Sequence, residues 1–170
     1  MTTVDDGTAE VLSFLSHAYG QRPLDHPLAV AELLREARQP HRVVVAGLLH
    51  DVLEDTNVTA EEVRRRFGGP VSELVEALTE DGAIDDVRQR KAALRQRILD
   101  AGPFAATIAL ADKAAKLSES GLRLNPRRLE HYRGTLEGVE RRYGHSRLSE
   151  LLRRRLAPYE RGEPSPKAKT

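Results

Sequence analysis

Cysteine and tryptophan are absent from the 170-residue chain, methionine occurs once, and aromatic residues make up only 4% of it. Without thiols there are no disulfides, thiolate metal sites or cysteine nucleophiles, so any metal has to be held by His, Asp or Glu. No apolar run approaches the roughly 20 residues that a membrane span needs. The N-terminal Met1-Thr-Thr-Val-Asp-Asp6 also lacks the basic and apolar blocks of a signal peptide. A cytoplasmic protein without membrane association is the expectation. Charge of one sign is missing too: 31% of residues are charged yet the net charge is +1, which disfavours nucleic acid as the main partner. The length suits one domain with a sizeable core.

What the chain does have is aliphatic residues at three- and four-residue spacing almost throughout, with few β-branched runs and no hairpin turn between alternating segments. This predicts an all-α, single-domain bundle of about eight or nine helices over residues 1–160. The spacing places helices at Thr8–Tyr19, Pro27–Ala37, Arg42–Asp55, Ala60–Phe67, Val71–Thr79, Asp85–Asp100, Phe104–Glu119, Arg127–Tyr143 and Arg147–Tyr159. Gly20, Gly68-Gly69 before Pro70, Gly82, Gly102-Pro103 and Gly144 interrupt the helical period and favour short connections. Residues 161–170 are polar, contain two prolines and have no apolar face to bury, so a disordered tail is expected.

One segment breaks the pattern in a chemically informative way. Val43-Val-Val-Ala-Gly-Leu-Leu49 is apolar on every side, which predicts a deeply buried helix, and four ionisable residues, His50, Asp51, Glu54 and Asp55, follow directly. Read as one continuous helix, this places three acids at a C-terminal end, where the helix dipole disfavours negative charge and calls for a cation. Imidazole and carboxylate ligands without thiolate suit Mn²⁺, Fe²⁺, Mg²⁺ or Zn²⁺. The plain alternative is a solvated helix end with His50 donating to a carbonyl. Two residues can complete a ligand set. His26 opens the amphipathic stretch Asp25-His-Pro-Leu-Ala-Val-Ala-Glu-Leu-Leu34, where capping the helix is the competing role. Asp112 interrupts the apolar Thr107-Ile-Ala-Leu-Ala111, where an ion pair with Lys116 four residues on is the alternative.

In order and spacing, His26-Pro27, Gly47-Leu-Leu-His-Asp-Val-Leu-Glu-Asp-Thr56 and Leu110-Ala-Asp-Lys113 resemble the HD-domain hydrolase of the RelA/SpoT family, and the likeness extends over roughly residues 10–145. Small stand-alone members hydrolyse the 3′-pyrophosphate of ppGpp and pppGpp with one Mn²⁺, and an animal relative also removes a phosphate from NADPH. The resemblance therefore implies a ppGpp 3′-pyrophosphohydrolase that uses metal-activated water. It assigns His26, His50, Asp51 and Asp112 to the metal and Glu54 and Asp55 to proton handling. Arg90, Lys91, Arg128 and Tyr132 match positions that line the family's nucleotide site.

Two departures bear on the substrate. Family members carry a longer basic segment before His-Pro that clamps the base, whereas Gly20-Gln-Arg-Pro-Leu-Asp25 leaves only Arg22 for that contact. Lys116 stands where the family has an Asn that touches the nucleotide, although a lysine still attracts phosphate. Rival readings are a phosphatase acting on NADPH or a nucleoside monophosphate, and a helix-turn-helix DNA reader over Thr59–Thr79. The latter would use Arg64-Arg-Arg66 and Arg153-Arg-Arg155 as phosphate contacts.

Overall fold

A computed structural model describes residues 6–119, 122 and 124–162; residues 163–170 of the expected tail lie outside the described residues. The order of elements begins α1 (Asp6–Tyr19), α2 (Asp25–Glu36), α3 (His41–Leu49), α4 (Val52–Asp55) and α5 (Ala60–Phe67). It continues with α6 (Gly69–Leu78), α7 (Val87–Ala101), α8 (Pro103–Lys116), α9 (Pro126–Tyr143) and α10 (Arg147–Glu160). No strand occurs among the described residues, as the spacing predicts, and no helix among them is long and apolar enough to cross a membrane.

Two helices sit at the centre because their side chains are apolar or small on every face. In α3, all seven residues from Val43 to Leu49 are buried, and the helix packs against α1, α2, α6 and α8. In α8, Ala105, Ala106, Ala109, Ala111, Ala114 and Ala115 keep the surface narrow, and it touches α2, α3, α6, α7, α9 and α10. Both carry residues that the sequence singles out.

The helix expected over 42–55 is two helices, which corrects the continuous reading. It breaks after Leu49: His50 keeps helical angles, but Asp51 sits at φ −100°, ψ 0°, and α4 is a single turn that follows it. That backbone conformation is sparsely allowed and ends the regular hydrogen-bond ladder. Asp51 instead uses its carbonyl to accept from the N–H groups of Glu54 and Asp55. The dipole argument is corrected with it. Glu54 and Asp55 close a single turn too short to have distinct dipole ends, so the dipole of α3 does not act on them as on the tail of one continuous helix.

Gly47 sets how closely α2 and α3 approach. A methyl group there would overlap Leu34 Cδ1 and press on Val30, both fully buried on α2. Gly47→Ala gains roughly 1 kcal/mol of helix propensity but overfills this contact at a cost of about 1–3 kcal/mol. We expect a lower urea midpoint with an unchanged slope; an equal or higher midpoint would show that Leu34 has room to move aside.

Candidate active site

The α2–α3 and α2–α8 contacts bring together three residues far apart in sequence. His26 Nε2 lies 3.1 Å from Asp112 Oδ1, and His50 Nε2 lies 3.6 Å from the same oxygen and 3.0 Å from Asp51 Oδ2. The two imidazoles meet edge to face with centroids 5.3 Å apart. His26, His50 and Asp112 offer ligand atoms within 4.8 Å of one another, with the Asp51 carboxylate against His50. His26 does not cap its helix, since α2 has no side-chain cap. The expected Asp112–Lys116 pair is not formed either: Lys116 reaches Glu119 at 3.0 Å, and Asp112 faces Lys113 at 3.4 Å.

The residues fit a divalent cation. His50 is 3% exposed and donates from Nδ1 to the carbonyl of Gly47 at 2.8 Å, which fixes the lone pair on Nε2. That Nε2 is buried and makes no hydrogen bond. Separations of 3.0 to 3.6 Å are the donor-to-donor edges expected around a metal with bonds of roughly 2.0–2.2 Å. Electrostatics agree: burial alone would lower the His50 imidazole, yet Asp112 and Asp51 hold it well above its ordinary pKa. Burial would raise the Asp112 carboxyl, but Lys113, His26 and His50 hold it well below the usual carboxylate range. A site that pulls this strongly on a proton also pulls on a metal ion.

His26 is held from behind. Its Nδ1 lies 2.9 Å from Glu119 Oε1, and neither atom has a hydrogen bond to any other group. A carboxylate behind a ligand histidine fixes ring orientation and raises its basicity. Glu119→Leu is expected to weaken metal binding by about 10–100-fold while Glu119→Gln, which keeps an acceptor oxygen, loses little. Calorimetric titration with Mn²⁺ checks this, and equal affinity in the leucine variant would remove Glu119 from the site.

The cluster opens on a cavity of 460 Å³ whose wall includes His26, His50, Asp51, Glu54 and Asp112. The same wall carries Arg88, Lys91 and Arg95 of α7, Lys113 and Lys116 of α8, and Arg127 and Arg128 of α9, with Lys113 next to Asp112. Glu54 is tied down by the backbone N–H of Glu80, 2.5 Å from its Oε1. Burial raises its pKa; the Glu80 N–H opposes the shift, and the charges of Glu80 and Asp51 add to it.

The other expected residues are distributed unevenly. Lys91, Lys116, Arg128 and Tyr132 line the cavity, Tyr132 as a buried ring with Lys113 Nζ 5.6 Å from its centroid. Arg90, Asp55 and Arg22 are not on its wall. Arg90 donates to Glu80 at 2.8 Å and to the carbonyl of Ile84 at 2.6 Å, bracing the 80–86 loop. Lys91 also pairs with Glu80, whose carboxyl burial would raise but which these two cations hold below its usual value. Asp55 lies near the Tyr19 hydroxyl, which burial and then the charge of Asp55 hold above its ordinary pKa, and Arg22 lies over the same Tyr19 ring at 5.6 Å. Sequence reasoning missed Glu80, Arg95, Lys113, Glu119 and His131. Only Lys113 had a signal, its place beside Asp112 in the Leu-Ala-Asp-Lys motif; the others depend on packing between helices distant in sequence.

Residues 8–118 match the sequence model described as HD domain. The chain belongs to the HD-domain family. Among curated relatives, this HD-domain protein is 42% identical over 80 residues to a guanosine-3′,5′-bis(diphosphate) 3′-pyrophosphohydrolase of Aquifex aeolicus, covering 47% of the chain and 12% of that protein. The mouse guanosine-3′,5′-bis(diphosphate) 3′-pyrophosphohydrolase MESH1 is 31% identical over 121 residues, covering 65% of the chain and 67% of the relative. The chain thus spans about an eighth of the Aquifex protein and about two thirds of the mouse one. A solved structure described as a metazoan ortholog of SpoT that hydrolyzes ppGpp superposes with a TM-score of 0.74 at 25% identity, covering 95% of this chain and 99% of that one.

Proposed function

We propose that this HD-domain protein is a cytoplasmic phosphohydrolase that releases pyrophosphate from the 3′ position of guanosine-3′,5′-bis(diphosphate), leaving GDP. The observation that carries the reading is a His26–His50–Asp112 cluster, with His50 buried and the other two half-buried, opening directly on a cavity lined by seven lysine and arginine side chains. The activities for which the relatives are named support the same substrate. His26, His50, Asp51 and Asp112 would hold one divalent cation, Mn²⁺ by preference. Bound there, it supplies Lewis acidity that lowers the pKa of water and polarises a phosphoryl oxygen.

The chain's own groups do the rest. Glu54, on the cavity wall and with a raised pKa, orients the attacking water and takes its proton. The water oxygen bonds to phosphorus, the bond from phosphorus to the ribose oxygen breaks, and a proton ends on that oxygen. Asp55 supports Glu54 from the next position and is anchored through Tyr19. Lys91, Lys113, Lys116 and Arg128 offset phosphate charge.

One observation favours a phosphatase acting on another nucleotide: Arg22, the expected base contact, lies off the cavity wall. No observation favours the DNA reader. Arg64 lies 3.9 Å from both Glu73 and Glu76, Arg66 pairs with Glu62, and Arg153 pairs with Glu140, so half of the six arginines in these runs face acids of their own chain. Incubating the protein with Mn²⁺ and, separately, ppGpp, NADPH and GMP, with pyrophosphate and orthophosphate measured apart, tests the proposal. Pyrophosphate from ppGpp supports it. Orthophosphate from NADPH or GMP alone transfers the reading to the rival, and no release from any of them sinks both.

A further inference from the structure

His131 on α9 is 6% exposed, lies in the wall of the same cavity, and has no part in the chemistry described above. Its Nδ1 is 3.1 Å from Nη1 of Arg95 on α7. A guanidinium has donors and no acceptor, so Nδ1 has to be the accepting lone pair and the ring proton has to sit on Nε2. Burial, and then Lys113, Lys91 and Arg95, oppose a second proton and push the pKa down to about 2, so the ring stays neutral at any physiological pH.

This contact has a channel made for it. Gly134 lies one turn along α9 from His131, and a Cβ there would stand 3.2 Å from Arg95 Nε and 3.4 Å from its Cδ. Glycine inside a helix costs about 1 kcal/mol relative to alanine. Here the missing side chain is the space through which Arg95 reaches the imidazole. Among the described residues the remaining ring nitrogen, Nε2, has no hydrogen-bond partner, and it is not one of the buried atoms left unpaired, so it reaches solvent. In a side chain this enclosed, the solvent it reaches is the cavity.

We infer that His131 is a substrate-binding residue: a neutral donor whose Nε2–H holds a phosphoryl oxygen of the substrate, with Arg95 fixing the tautomer and Gly134 making room for Arg95. The inference rests on the phosphohydrolase reading and deepens it. Lys91, Lys113 and Arg95 attract an anion from many directions, because charge attraction has little angular preference. A neutral N–H adds direction, and it adds no charge that would hold a phosphate product in place.

The experiment has an arm that does not need turnover. Long-range ¹H–¹⁵N spectra of the metal-free full chain should show His131 as the Nε2–H tautomer, unchanged from about pH 5.5 to about pH 8.5. Inorganic pyrophosphate should shift its Nε2 signal, whereas guanosine, which offers only ribose and base, should not. In Gly134→Ala the displaced Arg95 should release the tautomer preference. With the nucleotide that the enzyme hydrolyses, His131→Leu should raise KM about tenfold with a smaller change in kcat, and His131→Gln, which returns an N–H near the Nε2 position, should recover most of the loss. A cationic ring or an Nδ1–H tautomer at neutral pH, a response to guanosine but not to pyrophosphate, or a glutamine variant as poor as the leucine one would overturn the inference. If the wild type hydrolyses no nucleotide while the spectra and the pyrophosphate response are as expected, the proposed function fails and the role of His131 as an anion-binding donor stands.

Discussion

His50→Ala is expected to abolish stoichiometric metal binding and to lower phosphohydrolase turnover by about a thousandfold, since Lewis-acid stabilisation is worth several kcal/mol and each 1.4 kcal/mol is about a factor of ten. His50 is the most enclosed of the four candidate ligands, and its Nε2 is buried against the carboxylates of Asp51 and Asp112. The variant keeps α3 apolar, so circular dichroism and metal analysis separate loss of metal from loss of fold. Full metal content together with full turnover would remove His50 from the site. In the wild type the same residue makes metal binding depend on pH. The raised His50 pKa means that the metal-free ring carries a proton that the cation has to expel, so affinity should climb with pH and level off only above the folded-state pKa. Proton release on Mn²⁺ addition, measured in buffers of different ionisation enthalpy, reads this directly. The sign for stability is opposite. In the metal-free protein the raised pKa stabilises the fold fully below about pH 6.5, and that contribution fades as pH rises through the folded-state value.

Glu54→Gln should leave metal content intact and lower kcat by about 10²–10⁴-fold, the usual range for a positioned acid or base. The amide oxygen of glutamine still accepts from the Glu80 N–H that holds Glu54 Oε1, so the loop stays in place and the lost group is the proton acceptor alone. In the wild type, burial and the charges of Glu80 and Asp51 raise the Glu54 pKa, so the carboxylate needed as a base forms only as pH climbs through that higher value. Activity should rise along an acid limb displaced above the ordinary carboxylate range, and the glutamine variant should lack that limb. A variant with normal kcat would transfer proton handling to Asp55, which the fold turns toward Tyr19.

Comparison of expectation with structure separates two kinds of information. Eight of the nine expected helices are present as single helices because each depends on local spacing of apolar residues and on local breakers, and their ends shift by only a few residues. The expected helix over 42–55 failed at one joint. Nothing in its composition marks Asp51 as the residue that leaves helical angles; the tertiary position of its carboxylate against His50 does. With the break at Asp51 the dipole of a long helix no longer bears on Glu54 and Asp55; the pull on a cation comes instead from the oxygens of Asp51 and Asp112 crowded around the buried His50 Nε2.

By itself, the sequence determined the helical architecture, the confinement of metal chemistry to His, Asp and Glu, and the candidate ligands, because periodicity and residue type are local properties of the chain. Only the tertiary structure decided which neighbours those residues have. Contacts of α2 with α3 and α8 bring His26 to His50 and Asp112, the turn after α8 puts Glu119 behind His26, and the packing of α7 against α9 puts Arg95 on His131. It also decided that Arg90, Asp55 and Arg22 leave the cavity while Lys91, Lys116, Arg128 and Tyr132 enter it. A side chain's partners are set by the angle and separation at which whole helices pack, and these depend on the volumes of buried residues distant in sequence.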